Sequence, residues 1–396
     1  MSDTKQFHPE TALIHDGLHR SQFMETAESI VMTSGYVYES AEEAEHAFKA
    51  DGARFVYSRY ANPTVATFQS RLANLEGAEG CFATASGMSA VYNALIACVR
   101  QGDRIVASKA LFGSCQFILS ELLPRAGVHT DFVDGTDLEQ WKAALSKPAK
   151  VVFLETPSNP TLEIIDLPKV AELAHAAGAT VIIDNVFATP GNQRPLELGA
   201  DVVVYSATKH IDGQGRCLGG AILGTTEFLK EQVTPYIRHT GPCISPFNAW
   251  LLLKGLETLP LRVERMSNTA LKIASTIENN SNLNRVIYPF LDSHPQKDLA
   301  KSQMGHGGSV VTIDLKGGKD TAFKFLNALS IVSISNNLGD SKSLATHPAT
   351  TTHQRLSDEE REEMGITVGM VRISVGLENA EDLIADISHA INVASI

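Results

Sequence analysis

Between residues 80 and 224 the sequence alternates short, apolar, β-branched runs with segments of helical period, and this alternation constrains the fold more than any other feature. Arg104–Ser108, Val128–Val133, Val151–Glu155, Thr180–Asp184, Val202–Tyr205 and Gly220–Gly224 read as strands. Between them, Phe117–Arg125, Leu138–Leu145 and Leu167–Ala177 read as helices, the last capped by Gly178. Upstream, Val65, Phe68, Leu72 and Leu75 fall on one side of a helix, and CFATASGMSAVYNALIACV reads as strand, turn and helix with Ser86-Gly87-Met88 at the turn. Strands that alternate with helices in this way predict an α/β unit with a largely parallel sheet. Such sheets bind ligands beyond the carboxyl ends of their strands. Polar residues recur at those ends: Ser86, Asn159, Asp184, Ser206 and Lys209.

Downstream the pattern changes. A helical region starts at Phe247 and continues past Pro260 to Ile277. Strand-like pieces follow at Val286–Tyr288, Ser309–Leu315, Ile331–Ile334 and Met370–Ser374, with helices near Thr321–Leu329 and Glu381–Ile391. The expected organisation is an N-terminal arm (1–60), an α/β unit (61–256) and a smaller α+β unit (257–396). The arm has no sustained core pattern, but it scatters Tyr36, Tyr38, Phe48, Phe55, Tyr57 and Tyr60 among polar residues, as a contact onto another subunit would.

Composition removes several function classes. A net charge of −12 disfavours nucleic acid and anionic membranes as partners, and no apolar run reaches the length of a bilayer span. The first residues lack the basic and apolar regions of a signal peptide. The five cysteines (Cys81, Cys98, Cys115, Cys217, Cys243) are scattered and never in a C-x-x-C pair, which suits reduced thiols in a cytoplasm. Neither they nor the histidines form a metal-ligand pattern, and His347 and His353 read as loop residues.

Lys209 follows the strand Val202–Tyr205 and precedes Gly213, Gly215, Gly219 and Gly220. By itself the stretch accommodates a surface lysine on a loop or a lysine held at a strand end with a perturbed pKa. Asp184 could equally be a turn residue or a functional acid. An aldehyde cofactor such as pyridoxal phosphate needs one lysine for a Schiff base, an acid at its pyridine nitrogen, and a phosphate cup. Lys209, Asp184 and the N–H groups of Gly87 and Met88 at a helix start stand in the right order to supply them. No G-x-G-x-x-G supports a dinucleotide site.

YSRYANPT (57–64), ASGMSA (85–90), ETPSNPT (155–161), VIIDNVFATP (181–190), SATKHIDGQG (206–215), NLGDSKSL (337–344) and VRISVGLE (371–378), in that order, make the chain resemble the Cys/Met metabolism family of pyridoxal-phosphate enzymes over nearly its full length. The resemblance implies a fold type I, aspartate aminotransferase-like architecture. It makes Lys209 the Schiff-base lysine and proton shuttle, and Asp184 the partner of the pyridinium nitrogen. Gly87, Met88, Ser206 and Thr208 become phosphate ligands, joined by Tyr57 and Arg59 from a neighbouring subunit, with Tyr57 also counted as catalytic. Asn159 is assigned to the phenolic oxygen, Phe112 to the ring face, and Arg372 with Asn337 to substrate. It also implies a homotetramer built as a dimer of dimers.

Two departures narrow the expected reaction. Phe112 stands where many members have a ring-stacking tyrosine, and it has no proton to offer a leaving group. A carboxylate leaving group needs little protonation, because its conjugate acid is already strong. The run NLGDSKSLATHPATTTH is similar to that of the homoserine-ester sulfhydrylases, and the absence of a long insertion is similar to those acting on the succinyl ester. The expected substrates are thus an O-acylhomoserine, foremost the succinyl ester, and sulfide. The acetyl-ester reaction, cystathionine synthesis, γ-elimination and a catalytically silent regulatory subunit stand as alternatives.

Overall fold

The computed structural model of the chain describes residues 7–18, 20–49 and 54–395. Seven strands build the larger sheet: β1 (Gly80–Thr84), β2 (Arg104–Ser108), β3 (His129–Val133), β4 (Val151–Glu155), β5 (Thr180–Asp184), β6 (Val202–Ser206) and β7 (Gly220–Gly224). Their spatial order is β1-β7-β6-β5-β4-β2-β3, and β7 runs antiparallel to both of its neighbours. The remaining pairings are parallel, so the other strands end at one common edge. The connection from β6 to β7 holds no helix, and an antiparallel return does not require one.

Continuous apolar runs are what a sheet covered on both faces demands. Successive residues divide between the faces. Val152, Leu154, Val181 and Ile183 pack with Phe68, Leu72, Trp141 and Leu252 on one side. Val151, Phe153 and Ile182 pack with Ala90, Leu95 and Leu119 on the other. Each such side chain contributes about 1.5–3 kcal/mol by leaving water, which is why strands this short hold their register.

The smaller sheet comprises β8 (Leu283–Ile287), β9 (Val310–Leu315), β10 (Ser333–Ile334), β11 (Leu344–Thr346) and β12 (Met370–Ser374), ordered β10-β11-β12-β9-β8. Helices Leu259–Ile277, Gly318–Ala328 and Ala380–Ala394 accompany it, and Ile273, Phe325 and Ile387 fill the layer between. Helix Leu259–Ile277 also reaches back to the larger sheet. Its buried Arg262 donates to the carbonyls of His210 (2.8 Å), Ile211 (3.4 Å) and Gly255 (2.7 Å), which fixes the loop that follows Lys209.

Three expectations need correction. The helix expected over Phe117–Arg125 is a helix at Gly113–Phe117, a π turn at Ile118–Leu122 and a 3₁₀ turn at Leu123–Ala126. Pro124 has no N–H to continue an α-helical ladder there. The helical region from Phe247 to Ile277 is two helices, Pro246–Leu256 and Leu259–Ile277, with Pro260 in the first turn of the second. Finally, β11 was not anticipated, and the arm carries short helices at Pro9–His15 and Ala41–Lys49.

Candidate active site

The site lies where β1, β4, β5 and β6 end, in a cavity of about 260 Å³. Gly87, Met88, Phe112, Asn159, Asp184, Ser206, Thr208, Lys209 and Arg372 all line it, so these residues, far apart in sequence, meet there.

One wall is the start of the helix Gly87–Cys98. Its cap, Ser86, accepts from the N–H of Ser89 at 3.2 Å. The N–H groups of Gly87 and Met88 belong to the first turn and have no intrahelical acceptor. Two glycines allow the close approach. A Cβ on Gly87 would sit 2.5 Å from the Cβ of Ser206, and one on Gly220 would sit 2.2 Å from the carbonyl of Ser86. Thr208 uses its hydroxyl to pin Gly219, accepting from the N–H at 3.1 Å and donating to the carbonyl at 3.3 Å.

Two buried carboxyl groups stand side by side at the sheet end. Asp184 and Glu155 are register partners on β5 and β4. Asp184 Oδ1 accepts from the N–H of Val186 at 3.1 Å, and burial pushes its pKa up to about 6. Glu155 Oε2 accepts from the N–H of Phe112 at 2.8 Å. Burial and the charge of Asp184 hold Glu155 well above the usual carboxylate range. The sequence reading missed Glu155. The signal was present, since Glu155 closes a wholly apolar strand just as Asp184 does.

Two cations face the acids. Lys209 Nζ donates to Asn337 Oδ1 at 2.6 Å, and burial, with the charge of Arg372, lowers its pKa to about 8. Arg372 is only 2% exposed. Its Nη1 donates to Asn159 Oδ1 at 3.1 Å and its Nη2 to the carbonyls of Asn336 (2.9 Å) and Asn337 (3.1 Å). Burial lowers its pKa to about 10 against the supporting charge of Glu155. Among the described residues no carboxylate forms an ion pair with either cation. Asn337 therefore touches the lysine amine and the arginine fork without itself lining the cavity.

Tyr57 and Arg59 lie outside this cavity. Arg59 Cζ stacks 5.2 Å from the ring centre of Tyr57 and 4.8 Å from that of Tyr60, and its Nη1 donates to the carbonyl of Arg238. Downstream of Lys209, Arg216 shapes the loop: its N–H and Nε reach the Asp212 carboxylate at 2.6 and 2.9 Å. Gln214 is exposed. His347 Nε2 donates to the carbonyl of Val368 at 2.9 Å and its Nδ1 pairs with the Thr350 hydroxyl at 2.9 Å, while His353 Nδ1 pairs with the Thr352 hydroxyl at 2.8 Å, so both rings are held by nearby residues.

The sequence profile of the Cys/Met metabolism PLP-dependent enzymes matches residues 10–392. The chain belongs to this family. Relatives within it include O-succinylhomoserine sulfhydrylases of Mycobacterium tuberculosis, 55% identical with 96% of this chain and 95% of the relative covered, and of Pseudomonas aeruginosa, 46% identical with 96% and 94% covered. An L-methionine gamma-lyase of Fusobacterium nucleatum is 39% identical, with 98% and 99% covered. A crystal structure from Campylobacter jejuni, of a protein named as an O-acetylhomoserine (thiol)-lyase and holding N′-pyridoxyl-lysine-5′-monophosphate, matches with a TM-score of 0.93 at 32% identity, covering 98% of this chain and all of that one. The family's architecture is the fold type I seen here, and its cofactor is pyridoxal phosphate.

The cavity suits that cofactor on its own chemistry. A buried Asp184 oxygen without a donor suits a ring N–H⁺, and a desolvated lysine amine suits an aldehyde. Unspent helix N–H groups and two cations without an acid partner suit an anion.

Proposed function

We propose that the chain replaces the succinyloxy group of O-succinylhomoserine with sulfide at Cγ, releasing succinate and forming homocysteine for methionine biosynthesis. The observation that carries this reading is the near full-length likeness to O-succinylhomoserine sulfhydrylases, at 55% and 46% identity against 39% for the γ-lyase. Phe112 supports it, since a carboxylate can leave without the phenolic proton that this side chain lacks.

Bound pyridoxal phosphate supplies an aldehyde that bonds an amine and a ring that accepts the electron pair left when a neighbouring proton departs. Lys209 would hold the aldehyde, Asp184 the ring nitrogen, Asn159 the phenolic oxygen and Phe112 the ring face. Gly87, Met88, Ser206 and Thr208 would hold the phosphate, with Tyr57 and Arg59 reaching it from a neighbouring subunit. Arg372 binds the substrate α-carboxylate as a planar fork, which orients the Cα–H toward Lys209. The Lys209 amine would take the Cα proton, regain its neutral form by giving that proton to the bound cofactor, and take a Cβ proton as succinate leaves Cγ; hydrosulfide would then bond to Cγ, and the amine would return protons to Cβ and Cα. Asn337, accepting from that amine at 2.6 Å, keeps it aimed between the two carbons. The exposed apolar groups of the arm, Phe23 (81%), Val37 (89%) and Phe48 (66%), support its burial against a second subunit of a homotetramer. The division into an arm (1–60) and units 61–256 and 257–396 belongs to this reading. So does a cytoplasmic location, in keeping with five unpaired cysteines.

Purified protein assayed with each ester and each sulfur donor tests the reading. Homocysteine should form fastest from O-succinylhomoserine and sulfide. Faster turnover of O-acetylhomoserine overturns the succinyl assignment, and faster cystathionine formation from cysteine overturns the sulfhydrylase one.

The lowered pKa of Lys209 sets a pH dependence. Only the neutral amine attacks an aldehyde, and its fraction grows as pH rises through about 8. Apo-protein mixed with pyridoxal phosphate should therefore gain its visible absorbance faster as pH increases from 6.5 to 8.5, then level off. An unperturbed lysine would keep accelerating toward about pH 10.

A further inference from the structure

A second cavity, of about 530 Å³, adjoins the first and shares Phe112, Asn336 and Thr352 with it. It therefore abuts the cavity lined by Lys209 and Arg372, and a substituent on the γ-carbon of a substrate held there would be directed toward it. Residues 350–356 form much of its wall, and Arg355 is the one permanently charged side chain among its described lining residues. No acid lines it, and His353, pushed down to about 4 by burial, is neutral at working pH.

The Arg355 guanidinium carbon lies 5.9 Å from the centre of the Phe117 ring. That contact holds the group by its face and leaves the N–H donors around its edge free. Among the described residues no hydrogen bond or ion pair uses them. Arg361 nearby differs, because its donors are spent on Asp358 and on the carbonyls of His353 and Leu356. A planar fork of unspent donors in a cavity without acids matches a carboxylate.

We infer that this second cavity receives the acyl arm of the substrate and that Arg355 binds the terminal carboxylate of that arm. Arg355 is thus the residue that selects a dicarboxylic ester over a monocarboxylic one. The inference rests on the reading above, in which the substrate is O-succinylhomoserine.

Steady-state kinetics of wild type, Arg355→Ala and Arg355→Lys with both esters separate the two claims. In Arg355→Ala, kcat/KM for the succinyl ester should fall about 10- to 100-fold through KM, while the acetyl ester, which has no second carboxylate, stays within about twofold and shows that the variant is folded. Arg355→Lys, keeping a point charge without the fork, should fall between. Free succinate titrated calorimetrically into the holoenzyme should bind Arg355→Ala correspondingly more weakly. If wild type prefers the succinyl ester and Arg355→Ala keeps that preference, Arg355 is not the selector and the substrate reading stands. If wild type does not prefer the succinyl ester, the substrate reading fails and this inference fails with it.

Discussion

Lys209→Ala is expected to lower kcat by about 10³-fold or more, the largest effect of any single substitution in the chain. The amine is asked to act as covalent anchor and as mover of two protons, and nothing else within reach replaces it. Among the described residues its hydrogen-bond partner is Asn337. A structural lysine would behave differently on a second axis. Burial lowers the Lys209 pKa from its unfolded value to about 8, so the folded chain binds that proton less tightly than the unfolded chain does. Below pH 8 the group therefore opposes folding, and its removal should leave the urea midpoint unchanged or raised. Loss of turnover with retained stability marks a functional group held at a cost to stability. Turnover within about tenfold of wild type would remove Lys209 from the mechanism.

Arg372 carries the second largest expectation. Arg372→Lys should lower kcat/KM for the amino-acid substrate by about 10²- to 10³-fold, mostly through KM, because two charge-assisted hydrogen bonds to one carboxylate become at most one. Lysine is the informative replacement. Alanine would also strand the carbonyls of Asn336 and Asn337, each now paired with Nη2, at about 1–3 kcal/mol apiece. A Michaelis constant unchanged in Arg372→Lys would show that the substrate carboxylate is bound elsewhere.

Much of the large sheet was legible because burial on both faces writes itself into composition: the body of a strand with two covered sides has to be apolar, and the bodies of β4, β5 and β6 are apolar up to the polar residue that closes each. The acids and the lysine that close such runs stand out against them. Other features depend on contacts distant in sequence. The strand Leu344–Thr346 is three residues long and exists because it pairs with Met370–Ser374. The break after Leu256 lies at Glu257, which bridges Lys254 within its helix and Arg71 from a helix far upstream. Tyr57 and Arg59 were assigned only through likeness to a family, because within one chain they stack on each other and on Tyr60, away from the cavity. Arg355 carried no local signal at all. A lone arginine in an exposed polar loop becomes notable only when the cavity beside it is seen to contain no other permanent charge.

The pairing of Glu155 with Asp184 bears on which cations the sheet end can attract. Two ionised carboxylates in adjacent register would form a dianion, an invitation to a hard divalent ion such as magnesium. Burial and the neighbouring charge of Asp184 work against that state by holding the Glu155 pKa well above the usual carboxylate range, while Glu155 Oε2 accepts from the N–H of Phe112. The pair is thereby biased toward one negative charge rather than two, a valence that one protonated nitrogen matches. Glu155 thus limits how much negative charge builds up at the sheet end, while its hydrogen bond from the Phe112 N–H also holds that residue in place.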